Sequence, residues 1–106
     1  MNVTAVSQIT YTEAAEYLRL VELSANDQGT LTAMINAAKA FISSYTGRTV
    51  EELDDYPDFV IVVLILVQDM WDNRTLYVDN ENLNKVVEAI LGMHSVNLLP
   101  QVNEND

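Results

Sequence analysis

The chain has 106 residues, room for one domain and one core, and 49% of them are hydrophobic, which argues against disorder for the bulk. Cysteine is absent, which removes disulfides, thiolate catalysis and Cys-ligated zinc, and fits a reducing cytoplasm. Sixteen acidic residues against five basic ones give a formal net charge of −11, with Arg19, Lys39, Arg48, Arg74 and Lys85 standing singly, whereas duplex-DNA readers and membrane-surface binders need clustered cations.

Residues 1–8 show no period and read as a flexible arm; without a basic flank or a long apolar run, no secretory signal is expected there. Thr10 and Glu13 have the spacing of a capping box, so a helix is expected from Thr10 to about Leu20, with Ala14, Ala15, Leu18 and Val21 on one face. A polar stretch from Ser24 to Gly29 follows. In the second expected helix, Asp27 to Tyr45, the residues Leu31, Met34, Ile35, Ala38, Ile42 and Tyr45 recur at helical spacing. Ala33, Ala37, Ala40 and Ser44 run beside that stripe and would let another helix approach closely. Gly47 suits the left-handed residue that ends a helix.

Glu51, Glu52, Asp54, Asp55 and Asp58 form an acidic linker, in which Thr49 and Glu52 suit the cap of a single turn. Pro57 fits the first turn of a third helix. Its body, Phe59 to Val67, has no polar face. The β-branched residues there also suit a buried strand, but the apolar pattern continues through Met70 and Trp71, too far for one, so a helix ending near Asn73 is expected. The apolar run is about half the roughly 20 residues of a membrane span. A helix apolar all round must be covered all round. Either it runs through the centre of the bundle or part of it meets another subunit, and both can hold; Val60, Ile61, Val62, Val63 and Leu64 are the candidate subunit contact. A fourth helix is expected from about Asn82, with Leu83, Val86, Val87, Ile90 and Leu91 as its stripe and Gly92 ending or loosening it. The polar, acidic tail after Pro100 is expected to be mobile. The whole reads as a single all-α domain over 1–106, a bundle of about four helices with its core over about 9–99.

Little here suggests catalysis. The lone histidine, His94, suits a helix C-terminus or a surface position, and the serines lack a nucleophile-elbow context. Asp69 and Asp72, with Asp54, Asp55 and Asp58 before them, could hold Mg²⁺ or Ca²⁺ weakly, but without calcium-loop spacing a solvated acidic face explains them better. No catalytic residue, cofactor or metal is therefore expected. The sequons at Asn2 and Asn73 read as chance matches.

Three stretches in order and spacing carry a resemblance: Ile9 to Leu20; Leu31 through Tyr45-Thr46-Gly47-Arg48; and the apolar helix closing on Met70-Trp71-Asp72-Asn73-Arg74. Together they resemble the head–tail connector family of tailed bacteriophages and prophages, also described as adaptor or DNA-packaging proteins. The resemblance covers about residues 9–99. It implies a structural, non-enzymatic subunit of a homo-oligomeric ring in the virion, docked under the portal protein and receiving the next head-completion or tail component. DNA would pass through the ring without specific binding, and an acidic lumen would favour sliding. Thr10, Glu13, Gly47, Arg48, Trp71, Asn73 and Arg74 are the candidate cap or assembly residues. Asn73 suits the left-handed helix end, and Arg74 suits either an intrachain cap or a bridge to a neighbour's acidic segment. The alternatives are an acidic DNA-mimic inhibitor or another small helical interaction module and, ranked lowest, a carboxylate metalloenzyme.

Overall fold

Three of the four described α-helices begin where a side chain serves the first free N–H groups. Thr10 caps α1, Tyr11–Leu18: its hydroxyl accepts from the N–H of Thr12, and Glu13 accepts from the N–H of Thr10 at 2.8 Å. Ser24 caps α2, Ala25–Thr46, accepting from the N–H of Asp27 at 3.0 Å while Asp27 reaches back to the N–H of Ser24. This second capping box moves the start of α2 two residues ahead of the expected Asp27. Asn84 caps α4, Lys85–His94, through the N–H groups of Val86 and Val87. That helix therefore starts after the expected Asn82, which lies in a 3₁₀ turn, Asn80–Asn82. Gly92 neither ends nor breaks α4, although a mid-helix glycine costs about 1 kcal/mol relative to alanine.

The remaining helix, α3, covers Phe59–Asn73 and has no side-chain cap. The chain enters it through a turn in which Phe59 and Val60 donate to the carbonyls of Tyr56 and Pro57. Pro57 thus precedes the helix rather than sitting in its first turn. The computed structural model describes residues 3–96, and across them there are four α-helices and no strand, a small all-α bundle. The tail after Pro100 lies outside the described residues. None of the described helices is long and apolar enough to cross a membrane.

Two arginines hold unusual positions. Arg19 and Arg74 adopt left-handed conformations, with φ of 61° and 56°, just past the ends of α1 and α3. In each case the two N–H groups there close a Schellman motif: Arg19 and Leu20 donate to Glu16 and Ala15, Arg74 and Thr75 to Trp71 and Met70. α1 therefore stops at Leu18, short of the expected Leu20. Gly47 ends α2 in the same left-handed region, as its sequence position suggests.

α3 is the centre of the molecule, packing against α1, α2, α4 and the 3₁₀ turn Val6–Gln8. Phe59, Val62, Val63, Leu64, Leu66, Val67 and Met70 are all essentially inaccessible. Burying such side chains stabilises by roughly 1.5–3 kcal/mol each, so the chain's own core accounts for nearly all of this helix's apolar surface. The arm expected over 1–8 is corrected for its described part. Val6 and Ile9 are buried, and the N–H of Ser7 donates to Asp54 at 2.8 Å. Their i, i+3 spacing puts both on one side of the turn, which gives this short segment a reason to pack.

Candidate functional site

The hydrogen bonds joining residues far apart in sequence gather at one end of the bundle, where α2 and α4 finish and α3 starts. Arg48, just after α2, donates from Nε to the carbonyl of His94 at 2.6 Å. There the negative end of the α4 dipole meets a cation. The guanidinium lies over the Tyr56 ring at 4.6 Å. The His94 ring pairs through Nε2 with Asp58 at 2.8 Å. It also closes a triangle of rings, its centroid 4.5 Å from Tyr56 in a tilted contact and 5.1 Å from Phe59 edge-on. The N–H of Val96 donates to the carbonyl of Thr46, a fully buried residue, at 2.7 Å. The 3₁₀ turn Glu51–Asp55 brings Asp54 to Ser7 at the same end. We call this the locked end. His94 is a strut between α3 and α4, with its Nε2 held by Asp58 and its ring set against Tyr56 and Phe59.

The opposite, open end holds the finish of α3 and the start of α4, and every side-chain hydrogen bond described there is local. Arg74 stacks over Trp71 at 5.2 Å, and the amide of Asn73 donates to the carbonyl of Asp69 at 2.9 Å. The left-handed position expected for Asn73 is therefore taken by Arg74, whose backbone rather than its guanidinium serves the helix end. Beside them is a cavity of about 180 Å³ with an apolar floor of Leu66, Met70, Val78 and Leu83 and a polar rim including Asp69 and Asp79. Burial, and then the nearby Asp72 carboxylate, push the Asp69 carboxyl above its ordinary range. No Lys or Arg among the described residues pairs with Asp69, Asp72 or Asp79. Leu76 and Tyr77, next to the cavity, are well exposed.

The expected site residues thus divide between the ends. Gly47 and Arg48 belong to the locked end, with Thr10 and Glu13 close behind the packed turn; Trp71, Asn73 and Arg74 belong to the open end. The five-residue subunit contact narrows. Val62, Val63 and Leu64 are sealed in the chain's own core and Val60 is nearly so, which leaves Ile61, 37% exposed, with surface to offer. In α4, Val86 is exposed rather than part of the buried stripe, which runs through Val87 and Leu91. Among the described residues no three His, Asp or Glu side chains converge as a metal site. The Asp58–His94–Arg48 joint was missed from the sequence; Asp58 between Tyr56 and Phe59 was its only local signal. Set against family models, curated proteins and solved structures, the chain matches none.

Proposed function

We propose that the chain is a structural subunit of a phage head–tail connector ring, without chemistry of its own, docking under a portal protein and extending the DNA channel. What supports this reading is where the residues that carry the resemblance fall. Thr10 and Glu13 start α1, Gly47 and Arg48 end α2 and tie it to α4, and Trp71, Asn73 and Arg74 end α3. They are the joints of the bundle, as a shared fold would require of shared motifs. In this reading the partners are further copies of the chain, the portal protein and the next head-completion or tail component, and the protein resides in the virion.

The DNA-mimic alternative is weakened by the use the fold makes of the acidic linker. Glu52 accepts from the N–H of Thr49, Asp54 from Ser7, and Asp58 pairs with His94, so three of the five carboxylates are occupied within the chain. A phosphate mimic needs them free. Size-exclusion chromatography coupled to native mass spectrometry, with and without a portal protein, tests the proposal. Rings, alone or on the portal, are expected; a chain that stays monomeric in both samples overturns it.

A further inference from the structure

The open end carries a cavity, and the turn between α1 and α2 carries an exposed apolar side chain next to an exposed cation. The socket is the cavity of about 180 Å³ whose accessible apolar surface is the half-buried Val78 and Leu83, with Leu66 and Met70 sealed beneath them. At roughly 30 Å³ per water that is about six water volumes, enough for the end of one or two side chains. On its rim Asp69 has no cationic partner among the described residues, and Asp72 adds a second negative charge nearby. A carboxylate in that position gains from an approaching cation twice over, from the charge and from relief of the like-charged neighbour.

The knob is the turn between α1 and α2. Val21 is 96% exposed, the most exposed large apolar side chain described, while Leu20 and Leu23 on either side pack against the core. The turn is thus held in place while Val21 is kept out in solvent. Arg19, two residues earlier, is exposed and has no side-chain partner among the described residues. The other cations are committed or badly placed. Arg48 and Arg74 lie on Tyr56 and Trp71, Lys39 lines the second cavity near Asp54, and Lys85 follows the socket's own Leu83 by two residues.

We propose that the socket receives the Arg19–Val21 turn of a second copy of this chain, Arg19 meeting Asp69 and Val21 meeting Val78 and Leu83. The inference rests on the ring reading and names its contact. Knob and socket are different patches, so the contact, repeated head to tail, propagates from copy to copy and closes into a ring when the rotation permits. The copies carry −11 each. That repulsion is long-ranged and is screened over about 8 Å at physiological ionic strength, whereas the proposed pair is in direct contact.

The absence of cysteine makes the test clean. Chains carrying Val21→Cys and chains carrying Tyr77→Cys, both at exposed positions, are mixed and mildly oxidised. The mixed disulfide is expected to exceed random pairing several-fold. Adding Asp69→Arg to the Tyr77→Cys chain should return it to the random level, and adding Arg19→Asp to the other chain should restore it. Random pairing, or a dominant symmetric disulfide, overturns the contact. Native mass spectrometry of the unmodified protein separates the two claims. Rings with random crosslinking leave the ring reading standing and sink this contact; a dominant mixed disulfide without closed rings does the reverse.

Discussion

The two ends of α3 are held by different means. At the locked end, bonds between residues 36 to 47 positions apart tie the chain together: Asp58 to His94, Arg48 to the His94 carbonyl, Ser7 to Asp54. At the open end the side-chain hydrogen bonds run between residues two to four positions apart. Long-range bonds resist opening because several segments must move together, whereas local ones can rearrange while the fold persists. A protein that must hold its shape and still accept a partner has reason to keep the two jobs apart. In the proposed reading the locked end supplies rigidity, and the open end, with its cavity and exposed Leu76 and Tyr77, would supply the surface.

The core of α3 sets the upper limit against which both ends are measured. Asp at Val62, Val63 or Leu64 should unfold the protein, because an unpaired buried charge costs about 3–5 kcal/mol or more against a total stability of roughly 5–15. Ile61→Asp should leave the fold intact, since Ile61 already meets solvent. Circular dichroism melts of the four variants check this. If Val63→Asp melts like the parent, α3 is not the centre of the monomer.

The next effects distinguish the ends directly. His94→Ala removes the Asp58 bond and two ring contacts and should cost about 2 kcal/mol, from roughly 1 for the hydrogen bond and 0.5–1.5 for aromatic packing. Arg48→Ala should cost about 1–3 kcal/mol through its carbonyl bond and its stack on Tyr56. Arg74→Ala loses only a stack at the surface and should cost at most about 1 kcal/mol. Denaturant titrations would rank the three. An Arg74 loss as large as that of Arg48 would mean that the open end is as rigid as the locked one.

Glycine at the two left-handed arginines should go the other way. A non-glycine residue in that region costs roughly 1–2 kcal/mol, and neither guanidinium makes a described hydrogen bond within the chain. Arg19→Gly should therefore stabilise the isolated chain by about 1 kcal/mol; Arg74→Gly should gain less because it forfeits the Trp71 stack. A drop in midpoint for Arg19→Gly would show that its side chain contributes to the monomer.

The all-α character, the Thr10 box, the Gly47 stop and the end of α3 at Asn73 were legible because each depends on residues within one or two turns of one another. The Ser24 box was equally local and was overlooked because Asp27 stands three residues on, where Glu or Gln is the usual partner. Arg19 and Arg74 were not legible as left-handed residues, since propensity favours Gly or Asn there and neither position carries one. The long-range bonds of the locked end were beyond local reading. Nothing near His94 in sequence announces Asp58, 36 positions earlier, or Arg48, 46 positions earlier. The open-end cavity likewise exists only once α3 and the 75–83 segment are set side by side.

The smallest expected effect is in pH, where the ends should respond with opposite sign. At the locked end, hydrogen bonds from Ser7 hold the Asp54 carboxyl below its ordinary range. The unfolded chain, with a value of about 3.9, then binds the proton first as pH falls. The stability Asp54 contributes is full above that value and is lost as pH drops through the lower folded one. At the open end, burial and Asp72 raise the Asp69 carboxyl, so the folded chain takes up its proton before the unfolded chain does. Asp69 therefore burdens the fold at neutral pH, and the burden is lifted as pH falls through the raised value towards about 3.9. Asp69→Asn should be slightly more stable than the parent at pH 7 and should lose that advantage near pH 3. Asp54→Asn should be slightly less stable at pH 7 and should converge with the parent in acid. Both carboxylates keep contact with solvent, so each difference should stay below about 1 kcal/mol, and paired denaturant titrations at the two pH values are needed to resolve them. If a partner's cation seats against Asp69, as the socket requires, the neutral-pH advantage of Asp69→Asn should shrink or reverse at concentrations where the copies associate. That reversal with concentration is a signature a purely monomeric cost would not show.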